Sequence, residues 1–307
     1  MLPKNIPFST IRRTVEAAMV HLLLRGSRPS LYPYWATKLQ YKTIGNFLRQ
    51  VRSGDAAAAE HAQYYGFRLD EIRCVSYGSS IEERTHEALK KAQAAGFFFV
   101  SFDEATWLVK DAEMHALPAG VFVSSASGAD LLADGIPTAA VVGTRTPTPY
   151  GLMMTEKIVG EADNMAVVVP FALGIAEAAI NICLAQGRPC IAVIGGGAGN
   201  IYPLAMQDLY ARLVDTPGCG IVTPFFPDEA PLAYHMIARN RIVALANSVT
   251  VVESKEKGGG MIAARFGKEF CRDVRAVPGR WGDEASAGCN RLIAEGTAEL
   301  WTGKENS

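Results

Sequence analysis

From Pro137 onward the chain alternates short apolar runs with longer segments of helical spacing, and this alternation leaves few folds open. The runs are TAAVVG, MAVVVP, CIAVIG, GIVTPF, SVTVVE and DVRAVPG. Near-continuous Val and Ile mark strands covered on both faces. Strands separated by helices are βαβ units, and these build a parallel sheet joined by short right-handed crossovers. The expected fold is therefore α/β, with a doubly wound, mainly parallel sheet within residues 76–303. A small helical region, 1–75, precedes it, and a short polar tail, 304–307, follows.

Within 1–75 the spacing predicts three helices. STIRRTVEAAMVHLLLRG has cap candidates Ser9 and Thr10, with Ile11, Val15, Ala18, Met19 and Leu22 at helical intervals. A second helix is expected from about Tyr34 to Val51. It carries Trp35, Lys38, Tyr41, Lys42, Arg49 and Arg52, a set that fits a nucleic-acid face or a solvated face with its aromatics turned inward. A third begins at Asp55. Further on, EERTHEALKKAQAAG reads as a helix stopped by Gly96, while FFFVSF and AGVFVSS read as strands.

Composition narrows the function classes. The 307 residues are 49% hydrophobic and 20% charged, with a formal net charge of −1. This is a globular composition without a global basic field, so a nucleic-acid site has to be a local patch. The six cysteines form no C-x-x-C pair and do not cluster with the five histidines, which fits packing residues in a reducing compartment. No metal and no cofactor are expected. The N-terminus lacks the h-region of a signal peptide, and AAMVHLLL is too short to span a bilayer. A cytoplasmic protein without membrane attachment is expected.

In open α/β sheets, ligands sit beyond the C-terminal ends of the strands. Gly143, Thr144 and Arg145 follow the first run. A glycine there admits a ligand to the backbone, and a helix starting near Pro147 directs amides at an anion. Arg145 fits a phosphate contact or a carboxylate pair at a crossover. The third run ends in GGGAGN, Gly195 to Asn200, a glycine-rich loop that is neither a P-loop nor the dinucleotide fingerprint. It reads as a ligand cradle or a structural turn. After the fifth run, Gly258, Gly259 and Gly260 open a helix flanked by Lys255 and Lys257. Arg239, Asn240 and Arg241 lie on a helix before that run and fit an anion site or an ion-pair hub. No catalytic set is visible; His235 with Glu229 or Asp228 is the nearest approach to one.

These stretches resemble the DNA processing protein A family (DprA, also called Smf). The resemblance rests on VVGTRTPTPYG, IAVIGGGAGNIYP, ARNRIVALANSVTVVESKEKGGGMIAA, VRAVPG and GCNRLIAEG, in order and register from about Phe97 to Leu300. It implies an extended Rossmann-like domain that binds single-stranded DNA, forms a homodimer and helps load the RecA recombinase during natural transformation. It implies a binding protein, not an enzyme. Carried over by position, the pocket uses Gly143, Thr144, Arg145, Gly195, Gly197, Tyr202, Arg239, Asn240, Arg241 and Gly259, with Lys257 beside it. Tyr150 and Tyr202 are candidates for base stacking. A counterpart of the family's frequent C-terminal winged helix is not expected.

The chain also departs from the family. Pro170, Ala176, Ile180, Asn200 and Pro224 stand where the family carries a small, acidic or basic residue. The pocket keeps its scaffold and loses polar lining. This leaves a nucleotide-binding sensor with an altered pocket, or a scaffold acting through a partner, as alternatives to DNA binding.

Overall fold

The computed structural model describes residues 136–303 continuously, together with 53–64, 80–101, 120–124 and the short stretches 18–19, 22, 34–35, 49–51 and 117–118. The chain divides into two compact units: Met1–Val123 with Pro224–Pro227, and Ser124–Thr223 with Asp228–Ser307. Among the described residues no helix is long and apolar enough to cross a membrane.

In the first unit β1 (Tyr34–Trp35) pairs antiparallel with β3 (Leu117–Pro118). The expected start of a helix at Tyr34 is therefore corrected. Two aromatic residues suit a pleated surface, and the partner strand takes their backbone bonds. The remainder of that expected helix up to Arg49, its basic residues Lys38 and Lys42 included, lies outside the described residues, as do the Ser9 and Thr10 caps. Helix α1 (Ala56–Tyr64) starts where Asp55 Oδ1 accepts from the Ala58 amide at 2.8 Å, the bond of an N-cap. Helix α2 (Ser80–Ala94) is followed by Gly96 at φ +80°, and β2 (Phe97–Ser101) lies beside β4 (Gly120–Ser124). Edge-to-face contacts link Phe99, Phe122 and Phe226 in this unit's core.

The second unit holds the βαβ series. Its elements are β5 (Thr138–Val142), α3 (Pro149–Glu161), β6 (Ala166–Pro170), α4 (Ile175–Gln186), β7 (Cys190–Val193), α5 (Gln207–Asp215) and β8 (Cys219–Thr223), then α6 (Ala233–Val243), β9 (Ser248–Val251), α7 (Gly259–Glu269), β10 (Asp273–Ala276), α8 (Ala287–Ala294) and β11 (Glu299–Leu300). The strands lie in the order β11-β10-β9-β5-β6-β7-β8, and every pair from β11 to β8 is parallel. All five residues of β6 and all four of β7 are buried, because helices pack on the sheet: α4 on β5, β6 and β7, α6 on β6 and β7, α7 on β9 and β10. Each fully buried valine or isoleucine here contributes about 1.5–3 kcal/mol. Strand β11 was not anticipated from the sequence; its two residues are exposed and give no apolar run.

The strand order places the site. The chain runs outward from β5 through β6 and β7 to β8, then returns to lay β9 on the other side of β5. The reversal leaves a crevice between the C-terminal ends of β5 and β9, the topological switch point at which such sheets take ligands.

Candidate functional site

A cavity of about 350 Å³ opens at this switch point, lined by residues following β5, β6 and β9 and by Arg239 and Asn240 of α6. Its ionisable side chains are Arg145, Arg239, Lys255 and Lys257, all cationic. A second hollow of about 30 Å³ shares Arg145 and Arg239 and extends to Tyr202.

Arg239 is the deepest of the four, with 6% of its surface exposed. Nη1 donates to the Phe171 carbonyl at 3.1 Å and Nη2 to Asn240 Oδ1 at 3.3 Å, while Nε has no hydrogen-bond partner. Burial first, and the neighbouring Arg145 guanidinium second, bring its pKa down to about 10. No ion pair reaches Arg239 or Arg145 among the described residues. Two guanidiniums near one another, one of them desolvated, make a site short of negative charge.

Backbone contacts fix Arg145. Gly174 stands at φ +82°, and a Cβ there would meet the Thr144 carbonyl oxygen at 2.5 Å and Arg145 Cα at 2.7 Å. Only glycine lets the β6–α4 loop back onto the β5–α3 loop this closely. The Ile175 amide donates to Thr144 O at 3.1 Å and holds the two loops together.

Asn240 joins α6 to the start of α7, where its Nδ2 donates to Gly259 O at 3.3 Å. No side chain caps α7, so its first amides face the cavity with the positive end of the helix dipole. The three glycines here differ. A Cβ at Gly258 would strike Ser254 Oγ at 2.4 Å, and one at Gly260 would press on Val251 at 3.0 Å. At Gly259 it would meet only Asn240 Nδ2, at 3.6 Å. The fold requires Gly258, crowds Gly260 and leaves Gly259 free to take a side chain, so at Gly259 glycine keeps backbone accessible to something outside the chain.

Several expected positions have other roles. The amides at the start of α3 do not face a ligand: Glu253, 1% exposed, accepts from the Thr148 amide at 2.9 Å and from the Thr148 hydroxyl. The chain's own carboxylate thus occupies that anion site. Gly143 lines the cavity, but its missing Cβ makes room for Ile175, whose Cγ1 would lie 2.6 Å away. The loop expected as a cradle is filled by the protein. A Cβ at Gly195 would strike Met236, the Gly197 amide donates to Glu229 O at 2.8 Å, and neither glycine lines either of these two cavities. Arg241 turns away, pairing with Glu269 at 2.7 Å under cover of Phe266 and Phe270. His235 is buried, and its Nε2 lies 4.0 Å from Glu229 Oε2. Nδ1 accepts from the Leu232 amide, so this histidine caps α6. Thr144, Lys257 and Asn240 line the larger cavity, and Tyr202, 47% exposed, lines the smaller.

Sequence reading found only part of one wall, at Pro170 and Ala176, and missed Ala172 and Leu173. Pro170, Ala172, Leu173 and Ala176 make the cavity's apolar side. Ala172 and Leu173 lie in the loop directly after β6, so applying the strand-end rule to the second run would have found them. Of the positions that depart from the family pattern, Pro170 and Ala176 line the cavity; Ile180 and Asn200 do not.

Residues 99–307 match the family model for DNA recombination-mediator protein A. DNA processing protein DprA of Streptococcus pneumoniae is 38% identical over 173 residues, 55% of this chain and 60% of the relative. Protein Smf of Synechocystis is 34% identical over 165 residues, 52% of this chain and 41% of the relative. The chain thus matches three-fifths or less of the length of these relatives. The solved structure of the Streptococcus pneumoniae protein superposes with a TM-score of 0.68 at 29% identity, covering 87% of this chain and 93% of that one. The structure of DNA processing protein A from Helicobacter pylori, reported with its single-stranded DNA binding mode, superposes with a TM-score of 0.55 at 24% identity, covering 66% and 90%. At that identity it speaks to the fold.

Proposed function

Because the chain belongs to the DNA recombination-mediator protein A family, we propose that its cationic cavity binds the phosphodiester backbone of single-stranded DNA. The observation that carries this reading is the buried Arg239 beside Arg145, with no ion pair to balance either among the described residues. A phosphate entering the crevice supplies the missing charge and takes hydrogen bonds from guanidinium and from the amides of α7. Lys257 adds a flexible cation at the rim. Bases stay outside the phosphate site and stack on exposed rings such as Tyr202, which favours no particular sequence. The assigned role is binding, with no chemical step. Self-association and delivery of the strand to a recombinase of the RecA kind belong to the same proposal.

The test is fluorescence anisotropy with labelled oligo-dT at several salt concentrations, comparing wild type with Arg145→Ala. Steep salt dependence in the wild type, and weaker, less salt-dependent binding in the variant, is the expected result. Absence of binding at low salt sinks the reading. The apolar wall and the cavity volume, within the range of small-molecule pockets, favour a second reading in which a mononucleotide fills the site. Saturable mononucleotide binding with no gain for oligonucleotides would select it.

A further inference from the structure

We propose that Arg280 and Trp281 carry the single-stranded DNA track beyond the cavity, with the Trp281 indole as a base-stacking platform; this rests on the DNA reading above. Trp281 is 92% exposed, an unusual position for the largest apolar side chain. The turn that presents it is built. The Asp283 amide donates to Arg280 O at 3.2 Å, and Gly282 follows Trp281 at φ +82°. A closing bond with positive φ at the third position are the features of a type II turn, and they leave Trp281 at its outer corner. Arg280, also exposed, has no ion pair among the described residues, so a free cation adjoins the free ring.

The turn stands beside the cavity. It follows β10, whose parallel register with β9 pairs Ala276 with Val251, so both strands release their loops on one edge of the sheet. Two contacts tie the chain after β9 to the chain after β10, and a third fastens the latter to α3. Lys255, a cavity residue, pairs with Glu284 at 2.9 Å. The Gly288 amide donates to Ser254 O at 2.8 Å, and the Tyr150 hydroxyl donates to Pro278 O at 2.9 Å. Gly279 packs so closely on Ser286 that a Cβ would lie 1.9 Å from its Oγ; its N–H donates to Asn290 Oδ1 at 3.0 Å and its carbonyl accepts from Asn290 Nδ2 at 3.1 Å. Lys255 and Glu284 neutralise each other, which leaves Arg280 as the next unpaired cation on this path. A strand whose phosphate occupies the Arg145–Arg239 site and which runs toward β10 meets Arg280 with a later phosphate and Trp281 with a base.

The experiment uses the full chain and two labelled oligo-dT probes, one of about 6 nucleotides and one of about 20. Trp281→Ala is expected to leave the short probe's affinity unchanged and to weaken the long probe by roughly five- to one-hundredfold. Trp281→Phe should restore most of that loss, as a ring suffices for stacking. The long probe should quench indole emission in wild type, and this quenching should shrink in Trp281→Phe. Because the side chain is exposed, unchanged far-ultraviolet circular dichroism is expected in both variants. Long-probe binding equal to wild type in Trp281→Ala overturns the proposal while leaving the cavity reading intact. Equal weakening of both probes also overturns it, because Trp281 would then act on the cavity itself. If wild type binds neither probe, the DNA reading fails and this extension fails with it.

Discussion

The His235 imidazole shows how burial assigns a role to one side chain. Its Nδ1 accepts the Leu232 amide at 3.4 Å, which only the neutral ring can do. Burial lowers its pKa from the usual 6.5, against weaker opposing effects from the Ala230 and Gly195 backbone. The unfolded chain then takes up a proton at a higher pH than the folded one. Between the two pKa values the unfolded state holds more protons, so this group's contribution to stability rises with pH there. It is complete above about pH 6.5 and is lost as pH falls toward the folded-state pKa. Urea unfolding at pH 7.5 and 5.5 should therefore show a smaller loss of stability for His235→Asn than for wild type. Identical losses would contradict the capping role. Burial also makes Arg239 costly in the absence of a partner, yet there the unpaired charge faces a cavity large enough for a ligand.

At the scale of elements, two helix starts that look alike in sequence behave in opposite ways. The α3 start is closed: Glu253 reaches it through the Thr148 backbone and hydroxyl, and a Cβ on Gly151 would meet Glu253 Oε2 at 2.2 Å. Gly151→Ala should lower stability by about 1–3 kcal/mol, as overpacking of a rigid site does. The α7 start is open. Gly259→Ala should leave stability unchanged or raise it by about 1 kcal/mol, since alanine favours a helix over glycine, and should weaken oligonucleotide binding. Thermal melts and anisotropy on both variants check the pair. A Gly259→Ala protein that binds like wild type would remove the α7 amides from the site.

For the whole molecule, a formal net charge of −1 provides no long-range attraction for DNA, so affinity has to come from the local group of Arg145, Arg239, Lys257 and Arg280. Each phosphate neutralised on a single strand contributes about −0.7 to the slope of log K against log salt. With three or four contacts a slope of about −2 to −3 is expected for the 20-nucleotide probe. A slope near zero would mean that the cations do not meet phosphates.

The βαβ series was legible in the sequence because its signals are local. Val-rich runs, helical spacing and turn glycines depend on neighbours along the chain, and six of the seven strands of the second unit follow from them. The positions of Arg145 after a strand end, of Gly259 at a helix start, and of Arg239 and Asn240 on the helix before β9 were legible for the same reason. What each loop faces depends on residues far apart in sequence. Ile175 fills the space at Gly143, Met236 the space at Gly195, and Glu253 caps a helix that begins 104 residues before it. Glu269 takes Arg241, while among the described residues no ion pair reaches Arg239. The return of β9 to the side of β5, which creates the crevice, is likewise a matter of strand order that no local pattern encodes. Sequence alone determined the α/β architecture and the residues available to bind an anion; tertiary packing decided which of them are occupied by the chain itself and which remain open to a ligand.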